Sequence, residues 1–134
     1  MSGNNAVLDT NTIIYASQGR VDAESLLSGY ESCFISIISF IEVYAYDFSD
    51  VSEKEIIDDI LGNLEIIEID KGIAEQTIVY RRNKAKKIKL PDAVILASAK
   101  AFNADLLTDN HRDFQNIDPA IKIVSLQQFR IPPG

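Results

Sequence analysis

With one cysteine among its 134 residues, the chain can form no internal disulfide and cannot build a cysteine-rich zinc site. That residue, Cys33, opens a predicted strand, where a buried inert thiol fits better than a reactive one. Long apolar runs are also missing. Charges interrupt every hydrophobic segment before it reaches the roughly 20 residues that span a bilayer, so no membrane association is expected. The first residues lack the basic-then-apolar pattern of a secretion leader, and a reducing cytoplasm is the expected location. No repeat, low-complexity tract or Gly/Ser/Pro-rich stretch offers a linker. One domain over residues 1–130 is therefore expected, followed by a frayed tail over 131–134 that ends in Pro132-Pro133-Gly134.

Positive charge is scarce. The balance of 13 basic against 20 acidic residues gives a net charge of −7, which repels phosphates at long range. The distribution is uneven, because Arg81, Arg82, Lys84, Lys86, Lys87 and Lys89 crowd into nine positions. That segment reads either as a local RNA-contacting patch or as a solvated helix end set against the negative pole of the helix dipole.

What is present is an alternation of strands and helices. Ala6-Val7-Leu8 is a short buried strand, broken by the capping residues Asp9-Thr10-Asn11 and continued by Ile13-Ile14-Tyr15-Ala16 as a helix. Val21 to Leu27 predicts a short helix and Cys33-Phe34-Ile35 a second strand. Helical spacing runs from Ile37 to about Phe48 and again through Ile56, Ile57, Ile60 and Leu61. A third strand is expected within Leu64 to Ile69 and a helix over Ile73 to Asn83. A nearly all-apolar helix follows from Leu90-Pro91-Asp92 to Phe102, with Asn103 ending it in a left-handed conformation. Leu106-Leu107-Thr108 and Ile121 to Val124 complete the strands, separated by a loop or helical turn over Asp109 to Phe114. This order predicts an α/β fold with helices on both faces of a parallel sheet, in which ligands bind beyond the carboxyl ends of the strands.

Three acid-bearing turns could meet there: Asp9, Asp92, and the segment Asp109 to Asp113. Clustered carboxylates repel one another unless a cation neutralises them. Mg²⁺ is held by one or two carboxylates together with waters and phosphate oxygens, and needs no histidine, cysteine or serine nucleophile beside it. Each acid also has a plain structural use. Asp9 can cap the following helix. Ser39 and Glu42 have the spacing of a capping box. Asp92 complements a helix dipole, and Asp109 and Asp113 sit in a polar turn. His111, the one histidine, shares that turn and reads as a surface imidazole. Tyr44, Tyr46 and Phe48 read as core.

Taken in order, Val7-Leu8-Asp9-Thr10-Asn11, Ser36-Ile37-Ile38-Ser39-Phe40-Ile41-Glu42, Leu90-Pro91-Asp92-Ala93, and Leu107-Thr108 through Arg112-Asp113-Phe114 resemble the PIN-domain nucleases. The likeness is closest to the VapC-type toxins of type II toxin-antitoxin pairs, and it spans nearly the whole chain. The resemblance implies a three-layer α/β/α fold around a central parallel sheet, a homodimer, endonucleolytic cleavage of RNA, and a small antitoxin protein as partner. It also implies that Asp9 and Asp92 bind Mg²⁺, with Mn²⁺ as a substitute, and that Glu42 helps to hold the metal and its waters. For the fourth acid it points to Asp113, with Asp109 beside Asn110 as the alternative. Asn11 and Thr108 would be polar support. Two other readings stay open: a non-catalytic PIN-like module that binds RNA or protein, and a haloacid dehalogenase-like phosphatase, suggested by Asp9-Thr10-Asn11-Thr12.

Overall fold

The computed structural model describes residues 4–132. Five parallel strands form one sheet in the order β3-β2-β1-β4-β5. They are β1 (Asn5–Leu8), β2 (Ser32–Ser36), β3 (Glu65–Ile67), β4 (Asp105–Leu107) and β5 (Ile123–Val124). The helices between them are α1 (Thr10–Ser17), α2 (Ala23–Ser28), α3 (Ile37–Ala45), α4 (Val51–Leu61), α5 (Lys71–Arg81), α6 (Leu90–Ala101) and α7 (His111–Phe114).

Side chains alternate across a strand, and the two faces of this sheet feed separate cores. Val7, Phe34 and Leu106 pack with Ile73 and Tyr80 of α5, most of α6, and Phe114 of α7. Ala6, Leu8, Ile35 and Leu107 pack with Ile13 and Ile14 of α1, Leu26 of α2, Val43 of α3 and Ile57 and Ile60 of α4. The expected three-layer α/β/α arrangement is therefore present, and both faces of the central strands are buried. Helix α6 is buried along its whole body from Ala93 to Ala99, which matches its apolar sequence. Asn103 has φ of 50°, the expected left-handed terminator.

Several boundaries differ from the sequence reading, each for a local reason. The helix expected to reach Phe48 stops at Ala45, because Tyr46 turns extended and Asp50 caps α4 by accepting from the Glu53 N–H. Tyr46 is left exposed, edge-on to Phe48, and is not a core residue. Strand β4 begins at Asp105, one residue earlier than expected, with that carboxyl buried and pushed up by desolvation. No element was anticipated after Val124, yet a 3₁₀ turn at Gln127–Phe129 brings the chain back beside the start of α2. There the Asp22 N–H donates to the Phe129 carbonyl and the Ile131 N–H to the Arg20 carbonyl. Ile131 of the expected tail is thus tied down, whereas Pro133 and Gly134 lie outside the described residues.

The capping box proposed for Ser39 and Glu42 does not form. Helix α3 starts at Ile37, where the helical spacing begins, and its cap is Ser36, three residues before Ser39, with the Ser36 hydroxyl accepting from the Ile38 N–H. Ser39 is consequently inside the first turn, fully buried, and its hydroxyl has no partner among the described residues. An unpaired buried hydroxyl costs about 1–3 kcal/mol. Ser39→Ala should therefore leave the melting temperature unchanged or raise it. A fall of several degrees in a thermal melt would show that the hydroxyl has a partner in solution.

Candidate metal centre

The sheet order places β1 between β2 and β4: the chain steps outward from β1 to β2 and β3, then crosses back to β4 on the other side of β1, and this reversal opens a crevice beyond the carboxyl end of β1. Asp9 is the first residue past that end, and its N–H still donates to the Leu107 carbonyl of β4 at 3.3 Å. Its side chain is only 4% exposed. Burying a carboxylate is costly without strong partners, and three donors supply them. Oδ1 accepts from the Thr12 N–H at 2.9 Å and from the Thr12 hydroxyl at 2.7 Å. Oδ2 accepts from the Thr108 hydroxyl at 2.5 Å. Thr108 Oγ1 in turn accepts from the Asn110 N–H at 2.9 Å, which ties the loop after β4 to the same carboxylate.

Asp9 is therefore the N-cap of α1, as its plain reading required, but capping uses Oδ1 alone. A carboxylate oxygen offers two lone pairs, so Oδ2 keeps one. Burial raises the Asp9 pKa, and the threonine bonds only partly oppose this.

A cleft of about 330 Å³ opens in front of Asp9, lined by Thr10, Asn11, Glu42, Lys89, Pro91, Asp92, Ile95, Asn110 and Asp113. Four carboxylates thus share it with one ammonium group. Asp92 arrives from the first turn of α6, placed there by Pro91, whose fixed φ suits a helix start. Its pKa is pushed up to about 6, first by burial and then by the charges of Asp113, Asp9 and Glu42, with Lys89 the opposing influence. Glu42 arrives from the second turn of α3, and its Oε1 accepts from the Thr10 hydroxyl at 2.5 Å. Asp113 arrives from α7 and is exposed at the rim.

The remaining candidates separate. Asn11 and Asn110 line the cleft, and Thr108 lies behind it on Asp9. Asp109 points away, pairs with Arg130, and lines a neighbouring hollow with His111 and Arg112. In the basic segment, Lys89 reaches the cleft, while Arg81, Arg82, Lys84 and Lys87 line a hollow of their own. Lys86 does neither. Its ammonium donates to backbone carbonyls at the end of α7. Sequence reasoning named Lys89 only as a possible RNA contact and missed Thr10 and Thr12. Of these only Thr12 carried a signal, because a hydroxyl at the third position after an Asp cap is placed to bond that cap.

Oxygen donors dominate the lining, with neither His nor Cys among them, and this is the set that hard cations such as Mg²⁺ prefer. No three His, Cys, Asp or Glu side chains among the described residues are drawn tightly enough together to enclose a metal ion unaided. Mg²⁺ does not need such a cage when waters and substrate phosphates complete its shell, so the donors present fit it.

Comparison with known proteins agrees with this geometry. The family model for the PIN domain matches residues 6–119. The chain belongs to the PIN-domain family. It is 33% identical to a chain in a toxin-antitoxin complex from Klebsiella pneumoniae, covering 94% of this chain and 99% of that one at a TM-score of 0.74. It is 25% identical to a chain of VapBC2 from Rickettsia felis, solved bound to a DNA fragment from their promoter, covering 90% and 98% at a TM-score of 0.74. A chain of DNA-bound VapBC from Salmonella typhimurium, 23% identical over 94% and 99% at a TM-score of 0.74, shares the fold. No curated protein matches significantly. The PIN assignment leaves the phosphatase reading without support.

The crowding of like charges carries a pH signature. Asp92 has a folded pKa near 6 against 3.8 for the free group, so the fold binds its proton more tightly than the unfolded chain does. Without metal, the contribution of Asp92 to stability should be fully present below pH 4 and be lost as the pH rises through 6, by at most roughly 3 kcal/mol before solvent screening is counted. Asp92→Asn should then melt higher than the parent at pH 7.5 in chelator, with the gap closing towards pH 4.5. A variant that melts lower at pH 7.5 would show that the Asp92 charge is well paired.

Proposed function

We propose that this chain is a Mg²⁺-dependent endoribonuclease, the toxin of a toxin-antitoxin pair. The observation that carries the proposal is the convergence of Asp9, Glu42, Asp92 and Asp113 on one cleft at the carboxyl edge of a PIN sheet. A divalent cation bound there would polarise a phosphodiester and lower the pKa of a water.

The chain's own residues would divide the work. Asp9 and Asp92 would hold the cation, Asp9 in a position fixed by Thr12 and Thr108 and Asp92 in one fixed by the start of α6. Glu42, steadied by Thr10, and Asp113 would accept protons from waters at the cleft. Lys89 at the rim, with Arg81, Arg82, Lys84 and Lys87 beyond it, would meet the RNA backbone and offset the repulsion expected from a net charge of −7. Mn²⁺ would replace Mg²⁺. The relatives solved as toxin-antitoxin and VapBC complexes support a small antitoxin as partner, and a cytoplasmic homodimer is part of the same proposal. The competing reading, motivated by the acidic net charge of −7, is a PIN module that binds RNA or protein without cutting it.

Incubation of the purified chain with a structured RNA decides between the two. Cleavage should require Mg²⁺ or Mn²⁺, stop with chelator, and fall at least about a hundredfold in Asp9→Asn and in Asp92→Asn, the scale on which loss of electrostatic stabilisation acts. RNA retained without cleavage under any divalent cation would establish the binding module. Cleavage surviving both substitutions would place the active site elsewhere.

A further inference from the structure

Lys86 belongs by sequence to the basic run, yet it is half-buried while Arg81, Arg82, Lys84, Lys87 and Lys89 are exposed. Its ammonium donates to the Gln115 carbonyl at 2.6 Å and to the Arg112 carbonyl, across 29 and 26 residues of chain. Those carbonyls bracket the last turn of α7, the four-residue helix that carries Asp113. A helix this short has little internal hydrogen bonding of its own. At its ends the Asp113 N–H donates to the Asn110 carbonyl and the Gln115 N–H to the His111 carbonyl.

The loop that presents Lys86 is itself organised. Asn83 Oδ1 accepts from the Ala85 and Lys86 N–H groups, and Arg81 spans the loop to donate to the Ile88 carbonyl at 2.8 Å. The same loop runs directly into α6 and therefore into Asp92. Two acids of one charge face each other across the cleft, which pushes α7 outward. A cationic donor gripping its carboxyl end from the α5–α6 loop resists that push.

We propose that Lys86 is a positioning residue, a strut from the α5–α6 loop that holds α7, and with it Asp113, in register with Asp92 at the metal cleft. Lys86 is accordingly not an RNA contact, and the basic run is split between two cations bonded to backbone carbonyls, Lys86 and Arg81, and the exposed Arg82, Lys84, Lys87 and Lys89. This rests on the metal-nuclease reading for its consequence, though not for its geometry.

The test compares the parent with Lys86→Ala, Lys86→Arg and Lys87→Ala as full chains, reading amide hydrogen exchange without metal, Mn²⁺ affinity by calorimetry without RNA, and RNA cleavage. Lys86→Ala should expose the Asp113 and Gln115 amides to exchange, weaken Mn²⁺ about tenfold, the low end for loss of an outer-shell partner, and lower kcat with KM unchanged. Lys86→Arg, which can donate to both carbonyls, should restore most of each. Lys87→Ala should instead raise KM and reduce the salt dependence of RNA binding. Should Lys86→Ala fail to fold, Lys86→Met keeps the aliphatic stem and is read in the same way. The proposal is overturned if Lys86→Ala raises KM and flattens the salt dependence with α7 exchange unchanged, which makes Lys86 a phosphate contact. It is equally overturned if only the melting temperature falls while α7 exchange and Mn²⁺ affinity hold. A parent that binds no Mn²⁺ refutes the metal-nuclease reading, and α7 exchange still decides the strut.

Discussion

The arrangement depends on one buried carboxylate. Asp9 sits at the end of the central strand, almost removed from water, and stays there because Thr12 and Thr108 donate to it from opposite sides. These bonds link three separate pieces of chain: the end of β1, the first turn of α1 and the exit of β4. The sheet register brings them together, because Leu8 pairs with Leu107 and so sets Asp9 beside Thr108. A charge held this way is rigid and short of solvent, and its remaining lone pair can be satisfied in only a few ways.

Around that fixed point the other acids arrive on elements with different degrees of restraint. Asp92 is fixed by a helix buried along its length, Glu42 is steadied by Thr10, and Asp113 rides on a single helical turn. Burial first, and then their mutual repulsion, raises the Asp92 pKa, so holding these acids together without a counterion costs folding free energy. A protein whose acids served only as helix caps would spread them. This one concentrates four in one cleft with a single lysine, so a cation bound there would recover free energy spent in bringing them together.

Much of this was legible in the sequence because it is local. Ala6-Val7-Leu8 followed by Asp9-Thr10-Asn11 reads as a strand passing into a capped helix, and the apolar body of α6 after Leu90-Pro91-Asp92 reads as a buried helix with an acid at its mouth. What could not be read depends on distance across the fold. The bond between Thr108 and Asp9 joins residues 99 apart, and that between Thr10 and Glu42 joins residues 32 apart. Only the family resemblance favoured Asp113 over Asp109, because both lie in the same polar turn. The structure does so through Arg130, which belongs to a C-terminal return that had no periodicity to reveal it. The basic run stayed open between an RNA-contacting patch and a solvated helix end for the same reason, since charge alone does not tell a cation facing solvent from one turned inward onto carbonyls.

The most direct measurement is anomalous diffraction from crystals grown with Mn²⁺. A single strong peak bonded at about 2.1 Å by one oxygen of Asp9 and one of Asp92, with the Thr108 bond to Asp9 retained, is the result that follows from this geometry. A cation bound elsewhere, or an Asp9 carboxylate closed over by its threonines while Asp92 turns to a protein donor, would contradict it.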